Sequence, residues 1–427
     1  MNQPAASAVD SGARHPEFRL GWKVLLAAML GVACGASPIP FNTIGFFMGP
    51  LQAEFGWSLR EISLGVTIYG VLAALLAPVF GSLADRYGVR PVALWSLVAF
   101  ALAFACFGLT PASLIGFYAI WFLVGLVGIG STPVTWSRAV NLWFFRNRGL
   151  ALGITLMGTS IAAMGLPPLT VWLIDSFGWR AAYPLLALLP LLIALPVGIA
   201  VFREPRPSER PPELRASDGS GRAVLSGMSL GQAMRSYRFW LMFVSIFAVA
   251  FAYGGAHIHM PNIITGHGFS REQAAQVMSL LGLSILSGRL ITGFLLDRFW
   301  APLVVVPILS LPAVSCLLLA GDNLSLQAAM GAAWMLGFAA GAESDLIAYL
   351  AGRYFGMRHY GKIYGMLYMS FGIASAVSPA VYGAVRDSHG NYDPILFVAA
   401  GCFVFGAVIL FGLGRYPEAI AKTAAQP

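Results

Sequence analysis

Three ionisable side chains stand in the middle of long apolar stretches. Arg289 lies nine residues before Arg298, and Glu343 and Asp345 lie ten and eight residues before Arg353. At the centre of a membrane helix each charge costs at least about 2.5 to 3.5 kcal/mol unless it is paired or hydrated. A guanidinium keeps its charge and presents a fork of donors that suits a carboxylate. We therefore predict that Arg289 binds an anionic substrate, with a structural ion pair as the alternative.

The two acids cannot face the same space, because residues two apart point about 200° away from each other around a helix. Asp345 shares its face with the small residue Gly341, which suits a cavity, whereas Glu343 shares its face with Ile347, which suits packing. Asp345 is therefore the favoured proton carrier or partner of Arg289, and Glu343 is the second candidate. An anion on Arg289 would release the acid to accept a proton, which would couple the two events.

A histidine occupies the apolar stretch before a proline. His259 precedes Pro261 by two residues, and an unperturbed imidazole titrates near pH 6.5. Substrate contact or proton relay is one interpretation. A hydrogen-bonded structural histidine beside a proline kink is the other.

Three further polar side chains are candidates for the wall of a substrate cavity. Pro38 and Pro40 are expected to break the first apolar stretch near Asn42, a candidate polar contact. Tyr69 and Tyr368 could line the same cavity, although aromatic rings on helices more often pack in a core.

The elements that position these residues are membrane-spanning helices. Apolar residues make up 58% of the 427 residues and charged ones only 10%, against roughly 25% charged in a soluble domain. The apolar runs are continuous and near the roughly 20 residues that a helix needs to cross a bilayer, whereas barrel strands would alternate. An all-α integral membrane protein with twelve transmembrane helices is predicted. The runs begin near Gly21, Arg60, Pro91, Ala112, Arg148, Arg180, Phe239, Arg271, Ala301, Asn323, Lys362 and Pro394.

The net charge of +8 reflects topology. If the N-terminus is cytoplasmic, most of the 26 Lys and Arg residues fall in the tails and the even-numbered turns. This positive-inside bias predicts a multi-pass protein of the cell inner membrane with both termini in the cytoplasm, and no nucleic-acid partner.

The chain repeats itself at an offset of 212 residues. Asp85 falls on Asp297, and Asp175 falls on Asp387, without a gap between the two matches. Such a repeat predicts two pseudo-symmetric six-helix bundles with a site between them. The expected segments are a tail (1–20), the first bundle (21–202), a linker without regular structure (203–237), the second bundle (238–415) and a tail (416–427).

The turn after the second apolar run carries a family motif. It reads Gly81-Ser-Leu-Ala-Asp85-Arg86-Tyr-Gly88-Val-Arg90-Pro91, with a weaker copy that ends in Asp297-Arg298. Over essentially the whole chain the sequence resembles the major facilitator superfamily. The resemblance implies gating roles for Asp85, Arg86 and Arg90, and for Asp297 and Arg298, at the cytoplasmic ends of the helices.

Other stretches, among them Trp143-Phe-Phe-Arg-Asn-Arg-Gly and Gly178-Trp-Arg-Ala-Ala-Tyr183, resemble the monocarboxylate-porter and oxalate-formate-exchanger branch. In that branch the position of Arg289 binds the substrate carboxylate. Phe41 and Ile285 stand where many members carry a lysine and an acid. The lack of a second cation favours a monoanion.

Together these features predict a secondary transporter of a small organic anion, proton-coupled or exchanging a counter-anion, and functional as a monomer in the lipid bilayer. An efflux antiporter for drugs or metabolites is the alternative, and a non-transporting membrane sensor would normally add a folded soluble domain. The sequence contains no nucleotide-binding loop, metal-ligand motif or nucleophile motif, so an enzyme, a cofactor and a metal are not expected.

Overall fold

The computed structural model describes residues 17–144, 147–206, 209, 227–296, 298–321, 323–356 and 359–416. For residues 77, 78, 81, 82, 85, 148, 149, 344, 345, 348 and 361 it describes only the backbone. The helices of the first bundle are α1 (Glu17–Ala33), α2 (Pro38–Phe55), α3 (Leu59–Tyr87), α4 (Val89–Ala105), α5 (Leu114–Gly128), α6 (Pro133–Trp143), α7 (Arg148–Phe177), α8 (Trp179–Leu189) and α9 (Leu195–Val201). Those that follow are α10 (Leu230–Arg235), α11 (Tyr237–Gly266), α12 (Arg271–Leu296), α13 (Ala301–Leu319), α14 (Leu326–Phe355), α15 (Tyr360–His389) and α16 (Asp393–Val408).

The described helices form twelve columns of membrane length. Three columns consist of two pieces each, namely α1 with α2, α5 with α6, and α8 with α9. Eleven columns are long and apolar enough to span a bilayer by length and composition, and the twelfth is α14, which carries Glu343 and Arg353. Large apolar side chains such as Trp95, 74% exposed, and Ile115, 81% exposed, cover the outside, as lipid-facing helices require. The predicted all-helical fold of twelve spans is confirmed.

The first column breaks earlier than predicted. The break lies between Ala33 and Pro38, and Asn42 is inside α2. Pro38 occupies the first position of α2, where a proline removes no helical hydrogen bond and its fixed φ suits the helix. The prolines therefore begin a helix and do not kink one.

The linker also differs from the expectation of no regular structure. Its described C-terminal part forms α10, which Ser229 and Gln232 begin with reciprocal side-chain to backbone hydrogen bonds. The Met228 amide donates to the Phe355 carbonyl over 2.8 Å. This end of the linker is thus fixed to the second bundle.

The two bundles touch at the end of the molecule opposite the linker, here called the far end. Backbones come very close there: a side chain at Gly45 would collide with Ile258 of α11, and one at Gly282 would collide with Ala163 and Met164 of α7. Glycine is needed at both positions because a Cβ would prevent this approach.

Toward the linker end the same helix faces separate. Eleven residues are three helical turns and return to the same face. Three helices each have a residue that contacts the other bundle and, eleven residues nearer the linker end, a glycine. A Cβ added at any of these three glycines would have no atom within 4 Å. The pairs are Met164 and Gly153 on α7, Gly282 and Gly293 on α12, and Ala376 and Gly365 on α15. The molecule is closed at the far end and opens toward the linker end.

We predict that Gly282→Leu holds the bundles apart at the far end. The added side chain must displace the α7 backbone, and such overpacking costs typically about 1 to 3 kcal/mol. Spin labels at Phe177 and Glu272, in a background without native cysteines, should then report a longer distance by double electron–electron resonance. Gly331→Leu is the matched control, because a Cβ at Gly331 has open space. An unchanged distance in Gly282→Leu would contradict the described closure.

Candidate functional site

Arg289 stands on the face of α12 that is turned toward the first bundle. It follows Gly282, which packs on α7, by seven residues, or two turns. Gly288 packs on the Phe338 carbonyl of α14, and a Cβ on Gly341 of α14 would lie 2.9 Å from the Arg289 backbone nitrogen. The residue is half-buried, with its Nε and Nη1 atoms shielded from solvent. A permanent cation thus lies at the level where the bundles begin to separate.

Glu343 points into the second bundle. Only 4% of the residue is exposed, and its Oε1 atom has no hydrogen-bond partner among the described residues. Its carboxyl group lies within electrostatic range of the hydroxyls of Tyr253 in α11 and Tyr368 in α15. The small cavity beside it is otherwise lined by Met242, Ser245, Ile246, Val249, Leu309, Leu346, Ile347, Leu350 and Leu410. This placement fits the packing face predicted for Glu343, whereas the Asp345 side chain lies outside the described residues and its role stays a prediction.

His259 joins the two bundles at the far end. Its Nε2 atom lies 2.9 Å from the Pro379 carbonyl oxygen and 3.2 Å from Oγ of Ser63 in the first bundle, and Nδ1 lies 3.0 Å from the Tyr392 hydroxyl. A carbonyl can only accept, so Nε2 carries a hydrogen and a neutral ring accepts from Tyr392 at Nδ1. The fully buried ring uses both nitrogens in this closed contact and presents neither to a cavity. These contacts are those of a hydrogen-bonded structural histidine, and a role of His259 in substrate contact or proton relay stays a prediction.

Asn42 in α2 and Tyr69 in α3 donate hydrogen bonds to the backbone at the break between α1 and α2. The Tyr69 hydroxyl donates to the Ala36 carbonyl over 2.7 Å, and Nδ2 of Asn42 donates to the Pro38 carbonyl over 2.7 Å. These carbonyls belong to the break and the first turn of α2. Oδ1 of Asn42 is buried and finds no hydrogen-bond partner among the described residues, so this oxygen is still available to accept.

Three of the five predicted gating residues have described side chains with partners, and these three lie at the linker end. Nη2 of Arg90 donates to the Ile199 carbonyl at the C-terminus of α9 over 2.6 Å, a favourable place for a cation. Arg86 lies over the Tyr87 ring, and Arg298 lies 3.9 Å from the centre of the Phe294 ring. The Asp85 side chain and Asp297 lie outside the described residues. The gating roles stay predictions.

Two acids that the repeat aligns have partners that no sequence pattern indicated. Both oxygens of Asp387, near the end of α15, accept the amides of Leu59 and Arg60 at the start of α3, over 3.1 and 2.8 Å. Asp175, near the end of α7, lies 3.5 Å from Arg271 at the start of α12. Each bundle therefore places a carboxylate at a helix N-terminus of the other, where negative charge is favourable. The repeat, which places an acid at the same helix end in both bundles, could have marked these two residues as important, but it does not identify their partners.

The family model of the Major Facilitator Superfamily matches residues 24–379. The chain belongs to the major facilitator superfamily. The match extends from α1 to within α15 and so covers most of both bundles, and the predicted family is confirmed.

Relatives within the superfamily have carboxylate substrates in their names. Monocarboxylate transporter 11 of Mus musculus is 26% identical over 92% of this chain and 88% of its own length. The hexuronate transporter of Escherichia coli (strain K12) is 25% identical over 94% of this chain and 95% of its own length. Among solved structures, a bacterial homologue of the human lysosomal transporter Spinster, in an inward-facing and occupied conformation, has a TM-score of 0.66 at 16% identity. The structural match covers 96% of this chain and 99% of the homologue's chain. This likeness shows a shared fold.

We predict that Asp387→Asn loosens the far-end closure, because a neutral amide is a weaker cap for the α3 N-terminus. The Asn side chain has one acceptor oxygen where the carboxylate has two, and a hydrogen bond contributes a net of about 0.5 to 1.5 kcal/mol, so the open fraction should rise about twofold to tenfold. Thr67 lies on α3 one turn beyond Ser63, which contacts His259 across the bundles. A maleimide applied from the far end should therefore label Thr67→Cys correspondingly faster. Asp393→Asn is the control, since Asp393 accepts from Gly321 within the second bundle. Equal labelling rates for the Asp387→Asn and Asp393→Asn variants would show that the Asp387 cap does not stabilise the closure.

Proposed function

We propose that this chain is a secondary active transporter that moves a small organic monocarboxylate across the cell inner membrane by alternating access. The half-buried Arg289 carries this proposal, because it stands at mid-helix on the interbundle face where the contact between bundles ends. A permanent cation in such a place suits a carboxylate. The carboxylate-bearing substrates in the relatives' names support the same chemistry. An efflux pump for uncharged drugs would have no use for this cation.

The direction of opening follows from the charge bias. Basic residues concentrate at the linker end, which we assign to the cytoplasm. The gap marked by Gly153, Gly293 and Gly365 then opens to the cytoplasm, and the far end faces the outside. Both walls of the gap come from one chain, so a monomer contains a complete pathway.

Coupling to a proton is proposed at the acids of α14. Asp345 stays the first candidate and Glu343 the second. Glu343 has a buried oxygen without a partner among the described residues, and burying a carboxylate in this way is costly unless it holds a proton. Exchange against a counter-anion on Arg289 is the other mode of coupling.

We expect Arg289→Lys to lose transport while expression and folding remain. An ammonium retains the charge but loses the two-pronged donor geometry, and charged hydrogen bonds contribute about 1.5 to 3 kcal/mol, or roughly tenfold to a hundredfold in affinity. Uptake of radiolabelled lactate and benzoate into proteoliposomes measures the effect. Arg235→Lys in the exposed α10 is the matched control. Full activity in Arg289→Lys would refute carboxylate binding at this residue, and uptake of neutral drugs alone would support efflux.

We expect Asp345→Asn to abolish accumulation driven by a pH gradient while exchange of internal for external substrate continues. The reason is that an amide cannot carry a proton. Glu343→Gln is measured in parallel in the same proteoliposomes. If only Glu343→Gln abolishes accumulation driven by a pH gradient, the proton carrier is Glu343 and not Asp345. If the pH dependence is unchanged in both variants, exchange is the coupling mode.

A further inference from the structure

Four aromatic rings form a stacked series along α15. Neighbouring ring centres are 5.7 Å apart for Tyr360 and Tyr364, 5.8 Å for Tyr364 and Tyr368, and 5.4 Å for Tyr368 and Phe371. The interplanar angles are 12°, 29° and 26°. The rings are thus nearly parallel, with offset centres, in a favourable stacking arrangement.

Tyr368 is the exposed member of this series. The side chains of Tyr360, Tyr364 and Phe371 are half-buried, whereas Tyr368 is 41% exposed. A ring that served packing alone would be covered by its neighbours. One ring of the series therefore presents surface to something that is not protein.

The position of Tyr368 around α15 indicates what it faces. Gly372 marks the side toward α3, since its Cβ would lie 3.8 Å from Ala74. Ser378 marks the side toward α11, since its hydroxyl donates to the Phe251 carbonyl. At 100° per residue, Tyr368 falls between the two, about 40° from Gly372 and about 80° from Ser378. It faces the space between the bundles, on the stretch where Gly365 shows that this space is open.

Tyr368 and Arg289 lie at a similar depth on the two sides of α14. Gly341 of α14 is level with the Arg289 backbone nitrogen. The Glu343 carboxyl group, two residues further along α14, lies within electrostatic range of the Tyr368 hydroxyl. Since α12 and α15 both pack on α14, the cation and the exposed ring flank one stretch of the cleft.

We infer that the transported monocarboxylate carries an aromatic ring, with the carboxylate on Arg289 and the ring against Tyr368. This inference rests on the proposed function and names its substrate class. A cation suits one end of such a molecule and a stacking surface suits the other. A two- or three-carbon acid would satisfy Arg289 and leave the exposed surface of the Tyr368 ring uncovered.

Equilibrium binding of benzoate, cyclohexanecarboxylate and lactate to the purified full-length protein tests the inference. Benzoate should bind about threefold to tenfold more tightly than lactate, as expected for one aromatic stacking contact. Cyclohexanecarboxylate has a similar size without a π face, so it should fall between them. Tyr368→Leu should lower the benzoate-to-lactate affinity ratio toward one, and Tyr368→Phe should preserve that ratio. Phe405→Leu, at an exposed ring on α16, is the control that should leave all three affinities unchanged.

The outcomes separate the two proposals. If lactate binds in an Arg289-dependent way and benzoate binds no better, the aromatic class is overturned while the carboxylate transporter stands. If Tyr368→Leu weakens benzoate and lactate by the same factor, the ring is not a stacking surface for the substrate. If no carboxylate binds with dependence on Arg289, the proposed function itself fails.

Discussion

The close approach of α12 and α14 is the constraint on which the placement of Arg289 depends. Gly288 packs on the Phe338 backbone and Gly341 on the Ile285 and Arg289 backbones, so the helices touch main chain to main chain. Each residue turns a helix face by about 100°, and fixing Gly288 against α14 therefore fixes where Arg289 points. A larger residue at either glycine would move the helices apart and turn the guanidinium. The direction in which the cation points is therefore set by two uncharged glycines at this helix contact.

Duplication explains why the two bundles are joined at the far end by two equivalent contacts. Each bundle supplies an acid near the end of one long helix, Asp175 or Asp387, to a helix start in the other bundle. The copies are not equal, since Asp387 accepts two backbone amides and Asp175 makes one ion pair between exposed side chains. Exposed ion pairs contribute little, typically about 0 to 1 kcal/mol. The closure is therefore expected to depend more on Asp387 and on the buried His259 than on the pair of Asp175 with Arg271.

Helix number, bundle division and the mid-helix position of Arg289 could be predicted from the sequence, because they follow from hydropathy and repetition, whereas its role toward substrate stays a prediction. The partners of His259 could not. Ser63 and Tyr392 lie 196 and 133 residues away along the chain, and helical periodicity indicates a face without naming the neighbour. The break before Pro38 was misplaced for a local reason, since the same prolines can kink a helix or begin one. The exposure of Tyr368 likewise depends on how far two bundles have separated, which no single helix encodes.

The depth of Arg289 matters for alternating access. It lies seven residues from Gly282, where the bundles touch, and four residues from Gly293, where they have separated. When two rigid bundles rock, positions near the end of their contact move least relative to each other, and positions at either helix end move most. Under the proposed function, a carboxylate on Arg289 would therefore keep its partner in both states while access changes from one side to the other. A cation nearer either end would lose the opposite wall of its site in one of the two states, and substrate would bind well from one side only.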